Sequence, residues 1–376
     1  MKTYRCVCGQ LIFFQNAACL HCNRELGFLP DSLWLTSLDP ESTGLWRPTA
    51  EEARGKLYRK CQNYMGARVC NWMIPQNDKD IFCASCRLNE MIPDLSNEQN
   101  RNLWARIENA KRRLVYSLIR SNLPIKSKQD DPQQGVAFRF LSDVPNPIGG
   151  TSAVMTGHNQ GIITLNIAEA DDVKRETIRR AMNEPYRTLL GHFRHEIGHY
   201  YWGRLVRDTK FLEPYRQLFG SEQGEYTQAL NRYYRSGAPA NWREQYISAY
   251  AMAHPWEDWA ETWAHFMHMQ DALEIATDFG LTGKRMFLDS QDKDDNTWLS
   301  SKQPTFEGVI GSWSELAVSL NSFIHSMGLP DLYPLALSPA VVAKLGLIYE
   351  IISASSTRAL ASEEASYSNN TTAKKK

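Results

Sequence analysis

Residues 186–206 read YRTLLGHFRHEIGHYYWGRLV, and how this stretch folds decides how the rest is read. Apolar and aromatic residues recur through it at steps of three and four, which predicts a helix over Tyr186–Val206. Within it stands His195-Glu196-Ile197-Gly198-His199. Residues four apart on a helix sit one turn above each other, so both imidazoles can reach one ion with Glu196 beside them. A third protein ligand leaves the fourth position of a zinc ion to water, whose pKa then falls toward ~7. Glu196 is suited to take that water's proton as it attacks a peptide carbonyl, and to pass it to the leaving amine. The plainer alternative is a helix carrying two ordinary histidines; the strand expected before it and its helical setting favour the metal. His192 also faces the metal side and is read as a packed neighbour of the ligands, because three protein ligands and a water complete a catalytic site.

The third ligand should come from a second helix, expected to begin near Pro255 and run past Ala272. Pro255-Trp256-Glu257-Asp258-Trp259-Ala260-Glu261 opens it. Glu257 and Glu261 share a face, and Trp256, Trp259, Trp263 and Phe266 argue against that face being wholly solvated. One carboxylate can bind the ion while the other hydrogen-bonds a ligand histidine and fixes its tautomer; spacing does not choose between them. Tyr250, seven residues before Glu257, is a candidate donor to the developing oxyanion, with packing as the alternative. His254, His265 and His268 are read as core or surface residues, and His158 as a turn residue between two strands, where a substrate contact is the alternative.

All eight cysteines lie in the first 86 residues. Cys6-x-Cys8 with Cys19-x-x-Cys22 forms one set of four, and Cys61, Cys70 and Cys83-x-x-Cys86 a second. Pairs one or two residues apart aim both thiolates at one ion, and two pairs complete a tetrahedral shell. Two structural zinc ions are expected rather than disulfides, with His21 a spare polar residue in the first set.

The 376 residues carry 42 basic and 42 acidic side chains. Without a basic excess there is no electrostatic case for nucleic acid as a partner. The polar first ten residues do not read as a secretory signal, and no run of about 18 consecutive apolar residues predicts a membrane span. The expected location is therefore cytoplasmic, away from membrane. The expected organisation is a zinc ribbon over 1–30 and a second four-cysteine module over 31–95. A connecting helix and linker follow over 96–132, the helix opened by a Ser96/Gln99 capping box and stopped by Pro124. Residues 133–354 form the main domain, with strands at Val136–Leu141 and Gly161–Ile167 about a turn at 145–150. It also holds a charged loop at 289–296 and helices at Phe306–Met327 and Ser338–Ile352. A Ser/Thr/Ala-rich tail, 355–376, is expected to be disordered.

The chain resembles the bacterial zinc-binding metallopeptidases that carry an N-terminal zinc ribbon. The resemblance rests on Cys6-Val-Cys8-Gly9, Cys19-x-x-Cys22, Val69-Cys70-Asn71-Trp72, Cys83-x-x-Cys86-Arg87, Thr156-Gly157-His158, Gly161–Ala170, Tyr186–Tyr200 and His254–His265. More distantly, Glu-x-x-Ala-Glu after the histidine pair is similar to the second metal-binding helix of lethal-factor-like gluzincins. That likeness implies Glu257 as ligand, Glu261 behind the ligands and Tyr250 as catalytic tyrosine. It also implies that Gly161–Ile167 is the zincin edge strand along which substrate lies, through Gly161, Ile163 and Leu165.

The expected fold is thus α+β and mainly helical, a zincin-like domain behind small zinc modules. The expected function is hydrolysis of peptide or protein substrates by Glu-activated, zinc-bound water. The alternative is a zinc-ribbon interaction protein whose peptidase-like domain binds peptides without cutting; an intact Glu196 speaks against it. Elemental analysis of the purified chain should return three zinc ions, two structural and one catalytic. One ion with eight titratable thiols would remove both structural sites.

Overall fold

A computed structural model describes residues 2–41, 44–145, 151–152, 154, 156–181, 188–281, 305–333 and 336–373. Residues 146–150 of the turn expected at 145–150, the first two residues of the helix expected over Tyr186–Val206 and the loop expected at 289–296 lie outside these residues. The chain forms two compact units, one of residues 3–200 with 355–376 and one of residues 1–2 with 201–354.

The first unit opens with a short antiparallel hairpin, Tyr4–Arg5 with Leu11–Ile12. A five-stranded antiparallel sheet follows in chain order: Leu26–Leu29, Trp34–Pro40, Trp46–Pro48, Tyr58–Lys60 and Met73–Pro75. The boundary expected at residue 30 therefore falls inside a hairpin, and both cysteine sets belong to one sheet-built body. Three of these strands have only three residues, too few for alternation to show in the sequence. Leu29, Leu38, Tyr58 and Met73 pack on one face. Phe14, Phe28 and Trp72 meet edge-on or tilted, and Tyr116 joins them from the following helix.

That helix spans Glu98–Arg120, and its N-cap is Asn97, whose side chain accepts from the Gln99 amide. Ser96, the expected cap, instead donates its own amide to Asp94. A second sheet lies beside the helix, in the order Gly157–Asn159, Ile162–Asn166, Ala137–Leu141, Asn89–Met91. The last three strands run parallel and the first antiparallel. The strand expected at the edge is thus interior, with a neighbour on each side. Ile163 and Leu165 are fully buried, because alternation turns odd-numbered residues inward. Gly161 makes the turn: its φ is +83°, and a Cβ there would come within 2.4 Å of the Gly135 carbonyl. Its own carbonyl accepts from the Ala137 amide. The side chains of Ile163 and Leu165, expected to meet substrate, are thus turned into the sheet's interior.

The edge strand Asn89–Met91 comes from the cysteine-bearing region, three residues after Cys86. Asn89 and Lys111 both bond to Glu108, and Glu108 and Lys111 are completely buried. The Cys86 thiol sits 3.9 Å from the other oxygen of Glu108. A buried charge pair stripped of one partner is strongly destabilising, so the second cysteine set and the second sheet share one polar joint.

The second unit is helical: Leu212–Phe219, Tyr226–Ser236, Pro255–Asp278, Phe306–Ser326 and Pro339–Ala373, the last continuing into residues of the first unit. The tryptophans anticipated around the acidic pair form its core, with Trp259, Trp263 and Phe266 fully buried and Tyr201 stacked on Trp263. The last helix does not stop near Ile352. Its continuation through 355–373, expected to be disordered, contains no glycine or proline to end it. Its segment Pro339–Thr357 is long and apolar enough to cross a membrane, by length and composition only. In this structure Val341, Leu345, Ile348 and Ile351 are buried, and Lys344 holds Asp258 at 2.6 Å.

Replacing Cys86 with serine should empty the second cysteine set and cost on the order of several kcal/mol of folding free energy. Amide exchange should quicken in both 89–91 and 137–141. Exchange confined to residues before 89 would show that the two sheets are independent.

Candidate functional site

None of the eight cysteines forms a disulfide; they gather as Cys6/Cys8/Cys19/Cys22 and Cys61/Cys70/Cys83/Cys86. Sulfur pairs stand 3.6 Å apart for Cys6 and Cys22, 3.7 Å for Cys8 and Cys19, and 3.7 Å for Cys70 and Cys83. A disulfide needs about 2.05 Å, whereas two thiolates on one tetrahedral zinc, each at about 2.3 Å, lie about 3.8 Å apart. The spacing therefore fits zinc. Backbone amides point the same way: Trp72 donates to Cys70, Cys83 to Cys61 and Cys86 to Cys83. The amides of Cys22 and His21 hold the Cys19 thiol down to about 6. Cys22, although the Arg24 amide favours its thiolate, is driven up to about 12 by burial and the neighbouring thiols. Four crowded sulfurs cannot all ionise without a cation, which is what a metal shell supplies.

The motif helix spans Leu189–Tyr201. Phe193 anchors it, with ring centroids 5.6 Å from Phe138 and 6.1 Å from Phe140 of the second sheet. With Phe193 and Ile197 buried, the helix turns His192, His195, Glu196 and His199 onto a common side. The Nε2 atoms of His195 and His199 are 3.2 Å apart. Two nitrogens at about 2.0–2.1 Å from a tetrahedral zinc would lie about 3.3–3.4 Å apart, so this pair also fits. His158, expected in a turn, lies in the strand Gly157–Asn159 and stacks near-parallel to His199 with centroids 6.2 Å apart. Its Nε2 accepts from the Gly161 amide, and burial followed by the His199 charge lowers it to about 4.

His192 lies between two carboxylates. Its Nδ1 is 2.5 Å from Glu169 Oε2, and its Nε2 is 3.5 Å from Glu196 Oε1. Burial opposes its charge, but Glu169 and then Glu196 hold it up at about 9. Burial would raise Glu196, but the His192 hydrogen bond, His195 and His199 outweigh it and lower its pKa below the usual carboxylate range. Glu169 escaped the sequence reading. It sits in a short 3₁₀ turn, Ile167–Ala170, which has no periodicity to mark its orientation.

In the second unit, Glu257 and Glu261 lie on the first turns of Pro255–Asp278, whose N-cap is His254, accepting from the Trp256 amide. Glu257 is 1% exposed and accepts from the Tyr226 hydroxyl at 2.5 Å. Glu261 is only partly buried and accepts from Ser248 at 2.6 Å. Tyr226 and Ser248 lie 31 and 13 residues from the carboxylates they meet, with no periodic spacing to mark them in the sequence. Tyr250 opens a 3₁₀ turn, Tyr250–Ala253, edge-on to Tyr233. Burial and then Glu257 push its phenol far above the usual tyrosine value, so it stays a hydrogen-bond donor. His265 and His268 pack on Tyr333, in keeping with a structural role.

Residues 100–351 match a family model described as "Putative zinc-binding metallo-peptidase", and residues 3–97 match a zinc-ribbon domain. Uncharacterized proteins of Mycobacterium bovis and of two Mycobacterium tuberculosis strains are each 40% identical over 354 residues, covering 94% of this chain and 95% of the relative. No solved structure matches the chain.

The His192 charge has a consequence for stability. Its folded pKa, about 9, lies above the ordinary 6.5, so the fold holds that proton more tightly than the unfolded chain does. This contribution is complete below about pH 6.5 and fades as pH rises through 9. Thermal midpoints measured from pH 6 to pH 10 should fall more steeply for the native chain than for His192→Gln. Parallel profiles would mean that His192 is uncharged.

Proposed function

Since the chain belongs to the zinc-binding metallo-peptidase family whose model covers most of it, we propose that it is a gluzincin-type, zinc-dependent peptidase acting on peptides or proteins. The observation that carries this is the pair of imidazole nitrogens 3.2 Å apart on one helical turn, with the buried carboxylate of Glu196 beside them. Glu257 is the proposed third ligand. Burying an ionised carboxylate this inaccessible is costly, and a bound cation would offset that cost. Glu261, more exposed and held by Ser248, is the proposed support behind the ligands. The zincin-like fold is part of the same proposal, supported by the motif helix packed on a mixed sheet.

Zinc held by these residues supplies a Lewis acid and lowers the pKa of water near it toward ~7. The chain's own groups do the rest. Glu196, kept ionised, accepts the proton of the attacking water and delivers it to the leaving amine. Tyr250, kept protonated, donates to the carbonyl oxygen as negative charge builds there. The four-thiol sets hold two structural ions. A cytoplasmic location, away from membranes and nucleic acid, completes the proposal; balanced charge supports its last part.

Glu196→Gln should keep three zinc ions and lose about a thousandfold in turnover of a quenched fluorogenic peptide. Glu257→Ala should lose the catalytic ion outright, while Glu261→Ala weakens its binding roughly 10–100-fold. Tyr250→Phe should keep zinc and lose roughly a hundredfold in turnover. Zinc content by elemental analysis, set beside hydrolysis across a peptide library, decides. A zinc-loaded native chain that cleaves nothing, or a Glu196→Gln chain that still turns over, would end the peptidase reading.

A further inference from the structure

We infer that Glu169 is a positioning residue for the proposed reaction: acting through His192, it fixes the carboxylate of Glu196. This rests on the peptidase reading and adds to it a residue outside the motif.

The argument begins with hydrogen-bond inventory. An ionised carboxylate only accepts. His192 faces Glu169 Oε2 with Nδ1 at 2.5 Å and Glu196 Oε1 with Nε2 at 3.5 Å, and a ring set between two carboxylates is favoured in its doubly protonated form. The first contact is a short, charge-assisted bond; the second is long and mainly a charge contact. Glu169 is itself held in place. Thr156 donates its hydroxyl to Oε1, and the Asn166 side chain caps the turn that carries Glu169. Arg175 ties the Glu169 carbonyl. The line Thr156, Glu169, His192, Glu196 thus runs from the end of the second sheet to the motif helix.

Spacing on the helix makes this arrangement selective. His192 and Glu196 are four apart, so the imidazole lies over the carboxylate and meets one oxygen, Oε1. That leaves Oε2 as the oxygen to accept the water proton. An unclamped glutamate samples several rotamers, and a small misplacement of a reacting group costs orders of magnitude in rate. A merely structural ion pair between turn and helix would affect stability without touching turnover at saturating substrate.

The test uses the full-length, zinc-loaded chain with Glu169→Gln, His192→Gln and the double variant, on a quenched fluorogenic peptide cleaved by the native chain. Glu169→Gln should keep its zinc content, hold KM within about twofold and lose roughly 10–100-fold in kcat. The double variant should lose no more than the worse single one, because both act along one line. Unchanged kcat in Glu169→Gln, or losses that multiply, would overturn the inference. A second arm needs neither activity nor a variant: ¹⁵N-histidine NMR of the native chain at neutral pH should show His192 protonated at both nitrogens. A neutral His192 would remove the clamp even if the peptidase reading stood. A doubly protonated His192 in a chain that cleaves nothing would keep the geometry while the reaction and its positioning role both fell.

Discussion

The packing of one phenylalanine governs the motif helix. Phe193 lies against Phe138 and Phe140, and aromatic pairs of this kind contribute about 0.5–1.5 kcal/mol each beyond the area they bury. The energy matters less than the rotation it fixes. A helix advances about 100° per residue, so burying Phe193 and Ile197 against the sheet leaves His192, His195, Glu196 and His199 no choice of side. Turning the helix by one residue would bury an imidazole in an apolar layer and expose a ring. The chemistry of the motif is therefore fixed by hydrophobic burial on the opposite face.

Polar groups complete what this packing begins. Two carboxylates drawn into the first unit's interior are met by cationic or amide partners: Glu108 has Lys111 and Asn89, and Glu196 has His192. The thiols have one another, at separations suited to a shared cation. Buried charge in a small body is tolerable only on such terms. The same rule separates Glu257 from Glu261, two carboxylates of one helix of which the first is buried and the second only partly so.

Much of this was legible in the chain itself. Two sets of four cysteines could be separated by spacing alone, because chelation by short loops is a local property. The motif helix, the helix begun at Pro255 and the one begun at Phe306 were readable from periodicity. What escaped depended on partners distant in sequence. Gly161–Ile167 has the composition of a strand, but its interior place is decided by Gly157–Asn159 and Ala137–Leu141, and its buried Ile163 and Leu165 follow from that place. Asn97 took the cap from its neighbour Ser96 because both side chains suit the role and one residue of register decides between them. Glu169 and Tyr226 lie 23 and 31 residues from the side chains they touch, with no repeating pattern to link them.

The strand Asn89–Met91 sets an order of events. It leaves the ribosome with the cysteine-bearing sheet, well before Ala137–Leu141, with which it pairs in parallel. Parallel pairing across some fifty residues is slow to find when both partners are loose, because the loop must close before contacts form. A metal-filled N-terminal body removes half of that search by holding the edge strand and Asn89 ready. The strands at 137–141 and then 162–166 can add to it in turn, as domains fold in order of synthesis. The motif helix comes next in the sequence and meets a finished surface. A cell short of zinc would accordingly accumulate chains halted before the motif helix has a sheet to pack against.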